Sequence, residues 1–107
     1  MKIVYIAHPI GGNVEENLAD LRRIIKKINL TFFDVVPLCP YYSDVVSLDD
    51  SIPEQRARGI KNGMAVLKSG LINEFWLTGD KISNGMAAEL ELAKEQNIEI
   101  FNFIKNL

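Results

Sequence analysis

Two segments of the chain combine glycine with the start of a predicted helix, a pattern typical of anion binding. Residues 8–13 read His-Pro-Ile-Gly-Gly-Asn, and residues 83–89 read Ser-Asn-Gly-Met-Ala-Ala-Glu. Glycines such as Gly11, Gly12 and Gly85 let a ligand approach the backbone, and the free N–H groups of a helix N-terminus attract negative charge. Residues 8–13 lack the full Gly-x-Gly-x-x-Gly dinucleotide pattern, so a Rossmann cofactor site is not predicted. A tight strand-to-helix turn explains them equally well.

Three side chains in these segments could do chemistry. His8 is either a contact to a heterocyclic base or a loop histidine hydrogen-bonded to backbone. Ser83 could add its hydroxyl to the N–H groups that a phosphate meets at a helix start. Glu89 lies six residues later, at the edge of an apolar stripe rather than in its centre. Its spacing alone favours a solvated glutamate.

Arg56 and Arg58 lie in the first turns of another predicted helix, close to Glu54. Positive side chains near a helix N-terminus interact unfavourably with the helix dipole, so these arginines are candidates for contacts to an anion. A surface salt bridge with Glu54 or Asp50 is at least as consistent with the sequence.

Aromatic residues complete the set of candidates. Tyr41 and Tyr42 lie in a turn-rich segment over residues 37–50, and long loops are often functional. They could stack on a base or line a contact between two copies of the chain. Trp76 lies in the middle of a predicted strand and is expected in the core.

The elements that must position these residues alternate between strands and helices. Short apolar runs predict strands at residues 2–7, 32–36, 74–78 and 98–101. Helical spacing and capping residues predict helices that begin at Asn13, Ser51 and Ser83. This alternation predicts an α/β fold with a small, doubly wound, mainly parallel four-stranded sheet in the order 2-1-3-4 and helices on both faces, as in flavodoxin-like and Rossmann-like domains. Ligands of such sheets bind at the carboxyl ends of the strands.

Composition predicts one domain over residues 1–107, since 48% of its 107 residues are hydrophobic. The net charge of −2 and the scattered lysines argue against a nucleic-acid polymer as partner. A single Cys excludes an internal disulfide, and no Cys/His cluster predicts a metal site. Without a signal-peptide pattern or an apolar run of ~20 residues, we expect a cytoplasmic protein with no membrane partner.

Three segments, residues 5–13, 53–56 and 76–94, resemble the nucleoside 2-deoxyribosyltransferase-like superfamily. The most specific part is the pattern Ser-x-Gly-Met-x-x-Glu-Leu-x-x-Ala, which begins at Ser83. The transferases tend to carry Asp at this Ser, whereas the related deoxynucleoside 5′-monophosphate N-glycosidases carry Ser, so the chain is nearest to the glycosidases. It departs from them at Gly11, where they place an Arg.

The resemblance implies an N-glycosidase or deoxyribosyltransferase that acts on a 2-deoxynucleoside or its 5′-monophosphate, without a cofactor. Glu89 would be the nucleophile that attacks the anomeric carbon, and Asp80 or His8 would orient the leaving base. Since a nucleophile must be ionised, we expect a hydrogen-bond donor such as a Tyr hydroxyl at Glu89. The alternative function is a non-catalytic module that senses or sequesters a nucleotide.

The resemblance also implies a substrate site and an assembly. The candidate substrate contacts are Tyr5, His8, Gly11, Gly12, Ser83, Gly85, Arg56 and Arg58. Arg56 or Arg58 would supply the positive charge that the glycosidases carry at the position of Gly11. A homodimer or larger assembly is expected, formed through the second predicted helix and the Tyr41–Tyr42 segment.

Overall fold

The computed structural model describes residues 1–107 and contains one four-stranded sheet. Its parallel strands are β1 (Lys2–Ala7), β2 (Val35–Leu38), β3 (Glu74–Leu77) and β4 (Glu99–Asn102). Its helices are α1 (Val14–Thr31), α2 (Pro40–Ser47), α3 (Pro53–Lys68) and α4 (Asn84–Glu95). The strand order is β2-β1-β3-β4. The predicted α/β class, strand order and parallel direction are therefore confirmed.

The two central strands are buried on both faces, as their nearly continuous apolar runs predict. On one face, Tyr5 and Phe75 join a core completed by residues of α3 and α4: Leu67, Met86 and Ala93. On the other face, Ile6 and Trp76 join a core completed by residues of α1: Leu21, Ile24 and Ile28. The helices thus cover both faces, and Trp76 belongs to the core as expected.

Side-chain caps fix the starts of two helices at the carboxyl edge of the sheet. The Asn13 side chain accepts a hydrogen bond from the Glu16 N–H at 3.3 Å, and α1 follows. The Ser83 hydroxyl accepts one from the Met86 N–H at 3.3 Å, and α4 follows. Each cap satisfies a backbone donor that the first helical turn leaves unpaired.

The cap predicted at Ser51 is wrong. Ile52 is the N-cap of α3 and makes no side-chain capping bond. The Ser51 hydroxyl donates instead to Asp49 Oδ1 at 2.6 Å, and its backbone N–H donates to the same oxygen at 3.0 Å. Pro53 has no N–H to cap at the first helical position, so α3 begins without a polar partner there.

The second strand and the segment after it differ from the prediction. The helix α1 continues to Thr31, so β2 begins at Val35 rather than at residue 32. Residues 37–50 are not a loop, because α2 occupies most of them. Pro37 is tolerated in β2 because this strand forms the edge of the sheet. Pro40 suits the first turn of α2 because its fixed φ is helical and it needs no donor there.

No helix is both long and apolar enough to cross a membrane.

Candidate active site

A cavity of about 200 Å³ opens at the carboxyl end of β1, between α2, α3 and α4. The connections from β1 and β2 lead to opposite sides of β1, so the cavity lies where the strand order reverses. Six of the predicted site residues line it: Tyr5, His8, Arg56, Ser83, Gly85 and Glu89. The fold thus brings together residues that lie up to 84 positions apart in the chain.

Glu89 lines this cavity and is only partly exposed. The Tyr5 hydroxyl donates a hydrogen bond to Glu89 Oε2, so the expected tyrosine donor is present. The Tyr5 ring is fully buried and stacks on Phe75, with ring centroids 5.4 Å apart. A Cβ at Gly63 of α3 would lie 3.1 Å from the Tyr5 hydroxyl, so glycine there leaves room for the pair.

The surroundings of Glu89 bring its ionisation close to neutral pH. Burial raises the pKa of Glu89 to about 7, and the hydrogen bond from Tyr5 opposes that rise. Burial and the negative charge of Glu89 raise the pKa of Tyr5 well above its usual range, so Tyr5 remains a donor. A carboxylate of this kind can act as a nucleophile or as a hydrogen-bond acceptor for a ligand hydroxyl.

A cation, a hydroxyl and a helix N-terminus also line this cavity. Arg56 lines it, with Nη2 at 4.0 Å from the position that a Cβ on Gly11 would take. Arg56 takes part in none of the ion pairs, so neither Glu54 nor Asp50 neutralises it. Ser83 contributes its hydroxyl at the start of α4. This combination is suited to a phosphate.

Four predicted site residues do not line the cavity: Gly11, Gly12, Arg58 and Asp80. Gly11 borders the Arg56 guanidinium, as described, and Gly12 has a positive φ of 92° that permits the turn into α1. The Arg58 Nε donates to Asn62 Oδ1 at 3.2 Å. Asp80 is exposed in the loop after β3 and is not among the residues that line the cavity.

His8 lines the cavity, but both of its ring nitrogens are engaged elsewhere. Its Nδ1 lies 2.6 Å from the Pro9 carbonyl oxygen, and its Nε2 lies 2.8 Å from Asp20 Oδ2. A Cβ at Gly79 would lie 2.7 Å from Pro9 Cδ, so only glycine lets the loop after β3 pack against the loop after β1. The hydrogen bonds of His8 tie its ring to its own loop and to α1, so both ring nitrogens already have partners within the protein.

The sequence indicated Tyr41 but not the other side chains that α2 contributes to the cavity. Asp44, Val45 and Leu48 line the cavity from α2 and its C-terminal end. Tyr41 also lines it, but its hydroxyl donates to the Ile6 carbonyl oxygen at 2.5 Å and so anchors α2 to β1. The Tyr42 hydroxyl accepts a hydrogen bond from Arg22 at 3.2 Å. The sequence did not predict α2 because no polar capping residue marks its start. Cys39 precedes Pro40 and makes no side-chain capping bond.

Fold and site together define an α/β domain with a parallel sheet and a carboxylate-containing cavity at its topological switch point. The chain belongs to a family described as a domain of unknown function, DUF7768, whose model matches residues 2–103. No curated protein matches the chain. No group of three or more His, Cys, Asp or Glu side chains could hold a metal ion.

Proposed function

We propose that the protein is an N-glycosidase or deoxyribosyltransferase that acts on a 2-deoxynucleoside, with the 5′-monophosphate as the form that the site favours. The observation that carries this proposal is the contact between Glu89 and Tyr5 in the cavity. It places a shielded, ionisable carboxylate in the same cavity as the Arg56 guanidinium and the Ser83 hydroxyl.

The chemistry requires a carboxylate that approaches the anomeric carbon. The Tyr5 hydroxyl donates to Oε2, while Oε1 accepts no hydrogen bond from the protein. Oε1 would form the bond to the anomeric carbon as the bond to the base breaks. The base would leave with the electron pair of the broken bond and would take a proton from water. The transition state resembles an oxocarbenium ion, as in glycoside hydrolysis. Attack by water would then release the sugar and regenerate the carboxylate, or a second base would accept the sugar.

The phosphate would bind at the junction of α3 and α4. Arg56 supplies the charge there, and the N-terminus of α4 supplies the Ser83 hydroxyl and backbone N–H groups. Holding the phosphate away from the reacting carbon lets its binding energy position the sugar over Glu89. We further propose that the protein acts in the cytoplasm, where nucleoside monophosphates occur.

The test is release of free base from the four deoxynucleoside monophosphates, measured by chromatography. The wild type should release at least one base, and Glu89→Gln should abolish the release. Glu91→Gln is the matched control, because Glu91 is exposed on the same helix and contacts Lys94 at 3.6 Å. A wild type that binds a monophosphate and releases no base would be the non-catalytic nucleotide-binding module, and the catalytic role of Glu89 would be rejected.

Self-association is a second part of the proposal. Apolar side chains remain exposed on and between α2 and α3, with Val46 at 58%, Ile60 at 52% and Ile52 at 38% exposure. Contiguous exposed apolar surface on a small domain often marks an interaction site. We propose that a second copy of the chain covers this surface, which lies next to the cavity.

A further inference from the structure

The α2 side of the cavity presents a carboxylate beside apolar side chains. Asp44 is half-buried and lines the cavity next to Val45, Leu48 and Ile60. A Cβ at Gly59 would lie 3.4 Å from Asp44 Cβ, so α2 and α3 pack closely at this point. Asp44 therefore has a fixed place in the cavity wall, on a helix that contributes neither Arg56 nor Glu89.

A chain of two hydrogen bonds orients the Asp44 carboxylate. The Arg58 Nε donates to Asn62 Oδ1 at 3.2 Å, and the Asn62 Nδ2 donates to Asp44 Oδ1 at 3.3 Å. A guanidinium can only donate, so Arg58 determines which end of the Asn62 amide faces Asp44. Asp44 Oδ2 accepts no hydrogen bond from the protein. Oδ2 can therefore accept a hydrogen bond from a ligand, while Oδ1 is held by Asn62.

We propose that Asp44 selects nucleotides whose base carries an amino group. This inference rests on the proposed function, since it assigns the base to the part of the cavity that Glu89, Arg56 and Ser83 leave free. The apolar side chains Val45, Leu48 and Ile60 pack against the base, and Asp44 Oδ2 accepts a hydrogen bond from its exocyclic N–H. A carbonyl oxygen at the same place is repelled by the carboxylate. Asp50, which also lines the cavity, adds to the negative potential on this side.

Two pairs of matched nucleotides test the selection. The bases of dGMP and dIMP differ only by the amino group, and those of dCMP and dUMP differ at the exocyclic group and the adjoining ring nitrogen. Both the dissociation constant, by calorimetry, and the kcat/KM of base release are measured for each. We expect the wild type to favour the amino member of each pair about 10-fold or more, as for a hydrogen bond to a charged group.

Asp44→Asn should reverse the preference within the dCMP and dUMP pair. Because Arg58 fixes the Asn62 amide, the new side chain turns its carbonyl oxygen to Asn62 and its NH₂ group into the cavity, where it donates to a carbonyl. Asp34→Asn is the control, since Asp34 is exposed before β2 and does not line this cavity. Asn62→Ala is a second variant, which frees Asp44 to rotate and should reduce the discrimination without reversing it.

The outcomes separate this inference from the proposed function. Discrimination in the dissociation constants without any base release would support the role of Asp44 and reject the catalytic proposal. Base release at equal kcat/KM within both pairs, or an Asp44→Asn preference identical to that of the wild type, would overturn the inference and leave the role of Glu89 intact. Failure of all four nucleotides to bind would overturn the inference and the proposed binding of a 5′-monophosphate.

Discussion

Glu89 and Tyr5 form the smallest unit on which the proposed chemistry depends. An exposed helix glutamate is ionised at neutral pH but strongly hydrated, whereas burial at the cavity wall raises the pKa of Glu89 to about 7. The hydrogen bond from Tyr5 favours the ionised form and so limits that rise. The sequence indicates Glu89 through its motif, but its burial depends on α2 and α3, which lie far from it in the chain.

The pair predicts a dependence of activity on pH. Since the nucleophile must be ionised, kcat/KM should rise with pH through about 7 on its acidic limb. Tyr5→Phe removes the donor and raises the pKa of Glu89 further, so the limb should move to higher pH. At pH 7 the loss should be about 10-fold, as for a hydrogen bond to a charged group. A pH–rate profile of Tyr5→Phe that superimposes on that of the wild type would exclude this role for the hydroxyl.

The same carboxylate predicts a dependence of stability on pH. The pKa of Glu89 is about 7 in the folded protein against an ordinary value of 4.5, so the folded state binds its proton more tightly than the unfolded state does. The tighter binding of this proton stabilises the folded state fully below pH 4.5, and this stabilisation is lost as pH rises through 7. Glu89→Gln should abolish this loss, which amounts to about 3 kcal/mol. Urea unfolding at pH 5 and pH 8 measures it, and an equal change with pH in both proteins would contradict the assignment.

Among the elements, α3 holds the site together through glycines on one face. A Cβ at Gly59 would make an ordinary contact with Asp44, but one at Gly63 would lie 3.1 Å from the Tyr5 hydroxyl. Both substitutions to Ala gain helix propensity of about 1 kcal/mol. We expect Gly59→Ala to raise the free energy of unfolding by about that amount. Gly63→Ala should lose that gain and slow base release, because Tyr5 must move away from Glu89.

Chemical denaturation and base-release rates of the two variants test this difference. The comparison is matched, since the glycines lie one helical turn apart and both line the cavity. A Gly63→Ala protein that is as stable and as active as Gly59→Ala would show that Tyr5 is not confined by α3.

Much of the element structure could be predicted from local signals. The apolar runs of β1 and β3 and the caps at Asn13 and Ser83 gave the central strands and two helices. The helix α2 could not be predicted in this way, because it begins at a proline without a polar cap. Because α2 was not predicted, Asp44 was not predicted as a site residue.

The choice between the two arginines of α3 shows another limit. Residues two positions apart lie ~200° apart around a helix, so only one of Arg56 and Arg58 can face the cavity. Which one does so depends on how α3 is rotated against α2 and α4, and that rotation is set by packing. The structure places Arg56 at the cavity and Arg58 on Asn62.

At the scale of the whole molecule, the exposed surface of α2 predicts assembly. We expect the wild type to be a dimer by light scattering, and Val46→Lys to dissociate it, because a charge would be buried in the interface. Leu30→Lys is the control, since Leu30 is 64% exposed at the end of α1, which packs on the other face of the sheet from α3. A wild type that is monomeric at high concentration, or Val46→Lys with an unchanged mass, would contradict the proposed interface.

The parallel sheet explains why one small domain can bring these groups together. The strand order places β1 in the middle, and its carboxyl end meets helices from three separate parts of the chain.

The central claim is that Glu89 at this position forms a covalent bond to the sugar. The most direct measurement is mass spectrometry of the intact protein and its peptides after rapid quenching with a deoxynucleoside monophosphate. We predict a deoxyribosyl phosphate adduct on Glu89 that is absent from Glu89→Gln, whereas base release without an adduct, or an adduct on another residue, would contradict the claim.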